Sequence, residues 1–169
     1  MSAMLGTSTK KKSKNGSTSK MSPRILLPIK FSHVTDNALA MALKMAKCCK
    51  ARLHILHVLD HRLKSPEVTD EEIVELTQAA ERQFEERYLP LLGDCNDFSF
   101  NCWEGDIAFE VSKFAESIDA DFIVIGCHVR GSKPSFTRLG EVALALFQWS
   151  PCPVMLVPCE LHRGDDKVR

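Results

Sequence analysis

Residues 126–141 gather the chain's densest set of chemistry-bearing side chains: Gly126, Cys127, His128, Arg130, Gly131, Lys133, Arg138, Gly140 and Glu141. Glycine lets a backbone take left-handed conformations and come close to a ligand. Arg and Lys hold oxyanions by charge-assisted hydrogen bonds. Such a segment reads as an anion- or phosphate-binding loop. Lys30, directly after the apolar run Ile-Leu-Leu-Pro-Ile, adds a further cation. Glu141 opposes it, because an unpaired carboxylate beside a phosphate is costly. Lys133-Pro134-Ser135 gives the polar stretch a stiff point. A connection of that length is expected to be a lid or binding loop.

Other chemistries are weaker. His33, His61, Cys102, Cys127 and His128 are good zinc ligand types, but they lack compact ligand spacing, so no metal site is expected. His54 and His57 stand three apart on a strand and therefore face opposite sides. Cys127 neighbours His128 and Arg130, yet no third group orients a nucleophile, and a buried, inert thiol is the expectation. Asp119 and Asp121 belong to a turn at the far end of a strand. GxSxG, Walker and HExxH motifs are all absent. Catalysis has no positive sign here.

Composition narrows the class. The chain has 169 residues with 44% hydrophobic content, enough for one domain with a core. Its formal net charge is zero, which does not indicate a basic nucleic-acid binder. The first 24 residues hold Lys10, Lys11, Lys12, Lys14, Lys20 and Arg24 and no acid, so the remainder carries −6. Residues 1–22 are expected to be a disordered basic tail, 23–160 the domain, and 161–169 a polar tail. No apolar run is long enough to cross a membrane, and no secretory signal pattern is seen. The seven cysteines are an odd number without a CxxC pair, which reads as reduced thiols in a cytoplasmic protein.

These side chains need elements to position them. Strand signals at residues 24–29, 51–59, 98–103, 121–126 and 154–157 alternate with helix signals at 35–49, 69–92, 105–118 and 139–149. Thr69-Asp-Glu-Glu is a capping box, and Ile73, Leu76, Ala80 and Phe84 form the expected inward stripe behind it. Each crossover holds a helix, so the strands should be parallel and covered on both faces. Ligands of such sheets bind beyond the carboxyl ends of the strands, where strand order reverses.

Four stretches then resemble one family. "ILLPIKFSHVTDNALAMALKMAK", "LHILHVLD", "GDIAFEVSKFAESIDADFIVIGCHVRG" and "LGEVALALFQWSPCPVMLVP" are similar, in order, to segments of the universal stress protein family. The resemblance implies an α/β fold: a single doubly wound open sheet of five parallel strands, order 3-2-1-4-5, with helices on both faces. It also implies a homodimer through the last strand, Val154 to Val157. Some members bind ATP through G-x-x-G, a spacer and G-S or G-T, with an Asp ending the first strand.

The chain departs from that fingerprint. Gly126 fills the first glycine position, but Val129 takes the second. Ten residues, Arg130 to Leu139, separate Val129 from Gly140, one more than the family spacing. Glu141 replaces the Ser/Thr and Lys30 the Asp, while Pro28 and Val58 match the adenine side. Gly131 could supply the left-handed backbone slightly late. The candidate ligand-binding residues are thus Pro28, Lys30, Val58, Gly126, Arg130, Gly131, Gly140 and Glu141, with no catalytic or metal residue named. The expectation is a stress-response protein acting by binding or signalling, its nucleotide site degenerate. Two alternatives stay open. One is an ATP or other adenine-nucleotide site with a rearranged loop and slow hydrolysis. The other is a dimeric module for an unknown protein partner, with no small-molecule ligand, nucleic acid or membrane.

Overall fold

The computed structural model describes residues 22–60, 69–127 and 140–158. The expected head and tail, and the segment holding Arg130 and Gly131, lie outside the described residues.

Five strands, β1 (Arg24–Ile29), β2 (Arg52–Asp60), β3 (Phe98–Gly105), β4 (Phe122–Cys127) and β5 (Val154–Pro158), alternate with four helices, α1 (His33–Cys49), α2 (Asp70–Arg87), α3 (Ile107–Ser117) and α4 (Glu141–Trp149). The strands form one sheet in the order β3-β2-β1-β4-β5, and every pairing is parallel. This is the doubly wound arrangement expected from the sequence. Strand period two divides the core. Ile25, Leu27, Leu53 and Ile55 pack with Ala38, Leu39 and Ala42 of α1 and Phe84 of α2. Leu26, Leu56 and Val58 pack with Val111, Phe114 and Ala115 of α3 and Leu146 of α4. β4 is buried on both faces, as its unbroken apolar run requires: Ile123 and Val124 are fully inaccessible.

The capping box is present: the Thr69 amide donates to Glu72 Oε2 at 2.9 Å, and the Glu72 amide to Thr69 Oγ1 at 3.3 Å. Two details differ from expectation. The long helix stops at Arg87, not at 92, and a 3-10 turn (Leu89–Leu91) follows. Pro90 is the reason, since a proline has no amide to donate to the carbonyl four residues back and its ring clashes with that carbonyl, which a tighter 3-10 turn avoids. Leu76 was placed on the inward stripe, but it is 42% exposed. The inward line runs through Ile73, Thr77, Ala80 and Phe84, with Ala80 and Phe84 buried, and Leu76 falls on its flank.

At the amino end of the sheet, α1 and α3 end in left-handed residues, Lys50 at φ 51° and Asp119 at φ 44°. In each case the next amide bonds back to the last turn, Ala51 to Ala46 and Ala120 to Ala115. Asp121 Oδ2 accepts the Arg24 amide at 2.7 Å, so the two aspartates close this turn as the sequence implied.

Candidate functional site at the strand-order reversal

β1 is flanked by β2 on one side and β4 on the other, so the crevice of a doubly wound sheet opens between the carboxyl ends of β1 and β4. Lys30 follows β1 immediately and is exposed. Its backbone is fixed twice by buried Thr35 of α1. The Lys30 amide donates to Thr35 Oγ1 at 3.1 Å, and that hydroxyl donates to the Lys30 carbonyl at 2.5 Å. Tyr88 Oη approaches the Lys30 and Ser32 carbonyls at 3.4 and 3.5 Å, long for hydroxyl bonds. Phe31 fills the space between, its ring 4.7 Å from His57 and 5.8 Å from Tyr88.

Across the crevice, Gly126 lies against the first turn of α1. A Cβ there would stand 2.3 Å from the Val34 carbonyl oxygen, so the glycine is demanded by packing. Gly140 is different. It caps α4 with φ −62° and has nothing within 4 Å of an added Cβ. Glu141 is the first residue of α4, where a carboxylate is favoured by the helix dipole. Asp106 caps α3, its Oδ1 accepting the Phe109 amide at 3.0 Å. Asp106, Ala108, Glu141, Val142 and Ala145 line a small cleft between the starts of α3 and α4.

The structure thus brings Lys30 and Gly126 to the strand-order reversal, and Gly140 and Glu141 to the start of α4. Pro28 and Val58 are buried in the sheet interior. Arg130 and Gly131, with His61, His128, Lys133 and Arg138, lie outside the described residues. Among the described residues no three His, Cys, Asp or Glu side chains gather to hold a metal ion. His33 is exposed at the start of α1, Cys102 is half-buried in β3, and Cys127 is buried at the end of β4.

His54 and His57 do face opposite sides. His54 sits 6.3 Å from Phe114 and 3.0 Å from Ser99 Oγ, with its Nε2 buried and unpartnered. His57 Nδ1 lies 3.0 Å from the Ile29 carbonyl. Burial pushes both histidines below the ordinary imidazole range; Arg52 and Arg24 push His54 further, while the Ile29 hydrogen bond partly restores His57. Burial, then Asp36, pushes Tyr88 up. The sequence reading missed Thr35 and Tyr88. Tyr88 is 58 residues from Lys30, and no local pattern announces a contact at that separation.

A family model for the universal stress protein family matches residues 21–158. The chain belongs to that family. Universal stress protein Sll1654 of Synechocystis sp. is 27% identical over 145 residues, covering 79% of this chain and 84% of that protein. Universal stress protein UspA from Lactobacillus plantarum superposes with a TM-score of 0.62 at 19% identity, over 80% of this chain and 97% of that one. A universal stress protein from Archaeoglobus fulgidus in complex with dAMP gives a TM-score of 0.55 at 20% identity, over 79% of this chain and 95% of that one. At these identities the two solved universal stress proteins share the fold with this chain. No described helix is long and apolar enough to cross a membrane.

Proposed function

We propose that this universal stress protein acts in the stress response by binding rather than turnover, and that its crevice is a degenerate nucleotide site that does not hold ATP in the usual way. The carrying observation is Glu141 in the first turn of α4. A helix start attracts phosphate through its free amides and dipole. Here a resident carboxylate already enjoys that field, and a phosphate arriving there would meet a like charge. Lys30 supports the same reading, since an exposed cation directly follows β1 where ATP-binding relatives are expected to carry an acid. Among the described residues no cysteine is joined in a disulfide, in keeping with the proposed reducing, cytoplasmic setting.

Isothermal titration of ATP-Mg into the full chain tests this, with AMP and cyclic AMP alongside and a peptide of residues 1–22 as control for the basic head. The expected result is no stoichiometric heat at millimolar nucleotide. Micromolar, one-to-one binding that is lost in Lys30→Ala would instead make the crevice an active adenine-nucleotide site.

A second reading, a module that binds protein, is favoured by one region. β5 is an edge strand whose Met155 is 39% exposed, and α4 beside it exposes Phe147 at 66% and Trp149 at 77%. An open edge with apolar neighbours is a template for pairing with another chain. The proposed occupant is a second copy of this chain, added strand to strand at β5. Light scattering checks it: the full chain should run as a dimer, and Met155→Arg should shift it toward monomer.

A further inference from the structure

We infer that the outer face of α2 is a docking surface for this chain's own basic head, residues 1–21, seated on the same molecule. The inference is independent of what the crevice binds.

α2 buries only Ala80 and Phe84. On its outer side Val74, Gln78, Glu81 and Glu85 stand at i, i+4, i+7 and i+11 and so form one exposed stripe. Glu71, Glu75, Arg82 and Glu86 form the stripe beside it. Val74 is 54% exposed. The helix carries seven acids against two arginines, a net of −5, whereas α1 is +1 and α3 and α4 are −1 each. The first acids have a local reason. Asp70, Glu71 and Glu72 lie where the helix dipole favours them, and Glu72 closes the capping box. Glu81, Glu85 and Glu86 have none. They lie in the second half of the helix, and the dipole disfavours an anion in the last turn. Glu81 and Glu85 are also a like-charge i, i+4 pair, which weakens a helix. Arg87 is committed to Asp36 through bonds of 3.1 and 2.9 Å. Among the described residues no ion pair engages Glu75, Glu81, Glu85 or Glu86.

The head supplies the missing cations. Residues 1–21 hold Lys10, Lys11, Lys12, Lys14 and Lys20 and no acid, +5 against the −5 of α2. Lysine suits a stripe that mixes Val74 with glutamates, because its methylenes cover apolar surface while the ammonium reaches a carboxylate. The chain path allows contact within one molecule. The head leaves at the amino edge of the sheet, where the Pro23 carbonyl accepts the Arg52 amide at 2.8 Å. α2 packs on the sheet with Phe84 stacked on Phe100 of β3 at 4.2 Å. Between Lys14 and Ser22 the chain reaches at most about 26–29 Å. That matches the 18-residue helix, which is about 27 Å long. α1 packs against the same core and exposes Lys44, Lys47 and Lys50, so it repels the head and leaves α2 as its partner. Individually weak contacts suffice, since the tether keeps the head at an effective concentration of about millimolar.

Amide NMR spectra of the full chain test the docking at two salt concentrations. Charges act over about 30 Å at about 0.01 M salt and over only about 3 Å at about 1 M. The combined Lys10→Gln, Lys11→Gln, Lys12→Gln and Lys14→Gln variant alters no residue of the sheet or its helices. At low salt it should move the Val74, Gln78, Glu81 and Glu85 amides relative to the unaltered chain, while Val111 of α3 and Ile123 of β4 stay in place. Glu75→Gln, Glu81→Gln and Glu85→Gln together should in turn move the amides of the head lysines. High salt should erase both differences. Trypsin gives a second readout. It should cut the head of the unaltered chain about threefold or more slower than that of the glutamine-substituted α2 variant at low salt, the sum of several weak exposed pairs. Unmoved α2 amides overturn the proposal, as does a response confined to α1 or the crevice. Shifts that fade on dilution would seat the head on a second copy and overturn docking within one molecule.

Discussion

The Val34 carbonyl occupies the space that a side chain at Gly126 would need, 2.3 Å from the nearest Cβ position. The glycine that heads the family fingerprint is thus fixed by how α1 seats on β4, whatever the crevice binds. Gly126→Ala must push two backbones apart, and overpacking of that kind costs about 1–3 kcal/mol. The backbone partner sets the loss near the upper end, about 3 kcal/mol. Gly140→Ala meets open space and should cost no more than about 1 kcal/mol, the loss of a tolerable cap. Urea unfolding of the two variants compares them directly. Equal costs would mean that α1 does not rest on β4 as described.

Lys50 ends α1 at φ 51°, a region that costs a residue with a Cβ roughly 1–2 kcal/mol. Lys50→Gly relieves that strain and gives back part of it as unfolded-chain entropy. The net gain should be about 1 kcal/mol, or about 2–4 °C in Tm for a domain of this size. A thermal melt measures it. A lowered Tm would place the residue outside the left-handed region.

The contrast between these sites shows what a sequence exposes. The order of strands and helices, the buried run of β4 and the Thr69–Glu72 capping box follow from short-range patterns, and each was legible. The end of α2 was misread because the helical period continues past Arg87, while Pro90 acts through geometry the period does not carry. Leu76 was misread because a strongly acidic helix needs only a thin apolar line, which periodicity alone draws too wide. At the crevice, Lys30, Gly126 and Glu141 stood out by type and by family position. The contacts of Tyr88 with Lys30, Ser32 and Phe31 did not, since they depend on how α2 returns across the sheet after a long excursion.

Two histidines give the stability a defined pH dependence. His54 and His57 are both held below the ordinary imidazole value by burial. Between that value, about 6.5, and their lower folded values, the unfolded chain binds more protons than the native one. The stability they contribute is therefore complete above about pH 6.5 and is lost as pH falls through that window. Urea midpoints should drop from pH 7.5 to 5.5, and the doubly substituted His54→Gln, His57→Gln protein should show a flatter profile. A midpoint that rises on acidification would reverse the assignment of both rings as neutral.

Glu141 offers the sharpest test of the proposed departure of the crevice from an ATP site. Its position at the start of α4 leaves the helix dipole intact, so removing the carboxylate should expose a phosphate-favouring terminus rather than destroy it. Glu141→Ser also supplies a hydroxyl of the type the family fingerprint carries. Affinity for ATP-Mg should rise by about tenfold or more, equivalent to about 1.4 kcal/mol. Adding Lys30→Asp should raise it again if Lys30 displaces the partner of the ribose hydroxyls. The same exchange should weaken binding if Lys30 itself holds the phosphate. Titration calorimetry of the single and double variants separates the two roles. No gain from Glu141→Ser would mean that the resident carboxylate is not the obstacle, and that the proposed loss of ordinary binding would have to come from the changed spacing between Gly126 and Gly140.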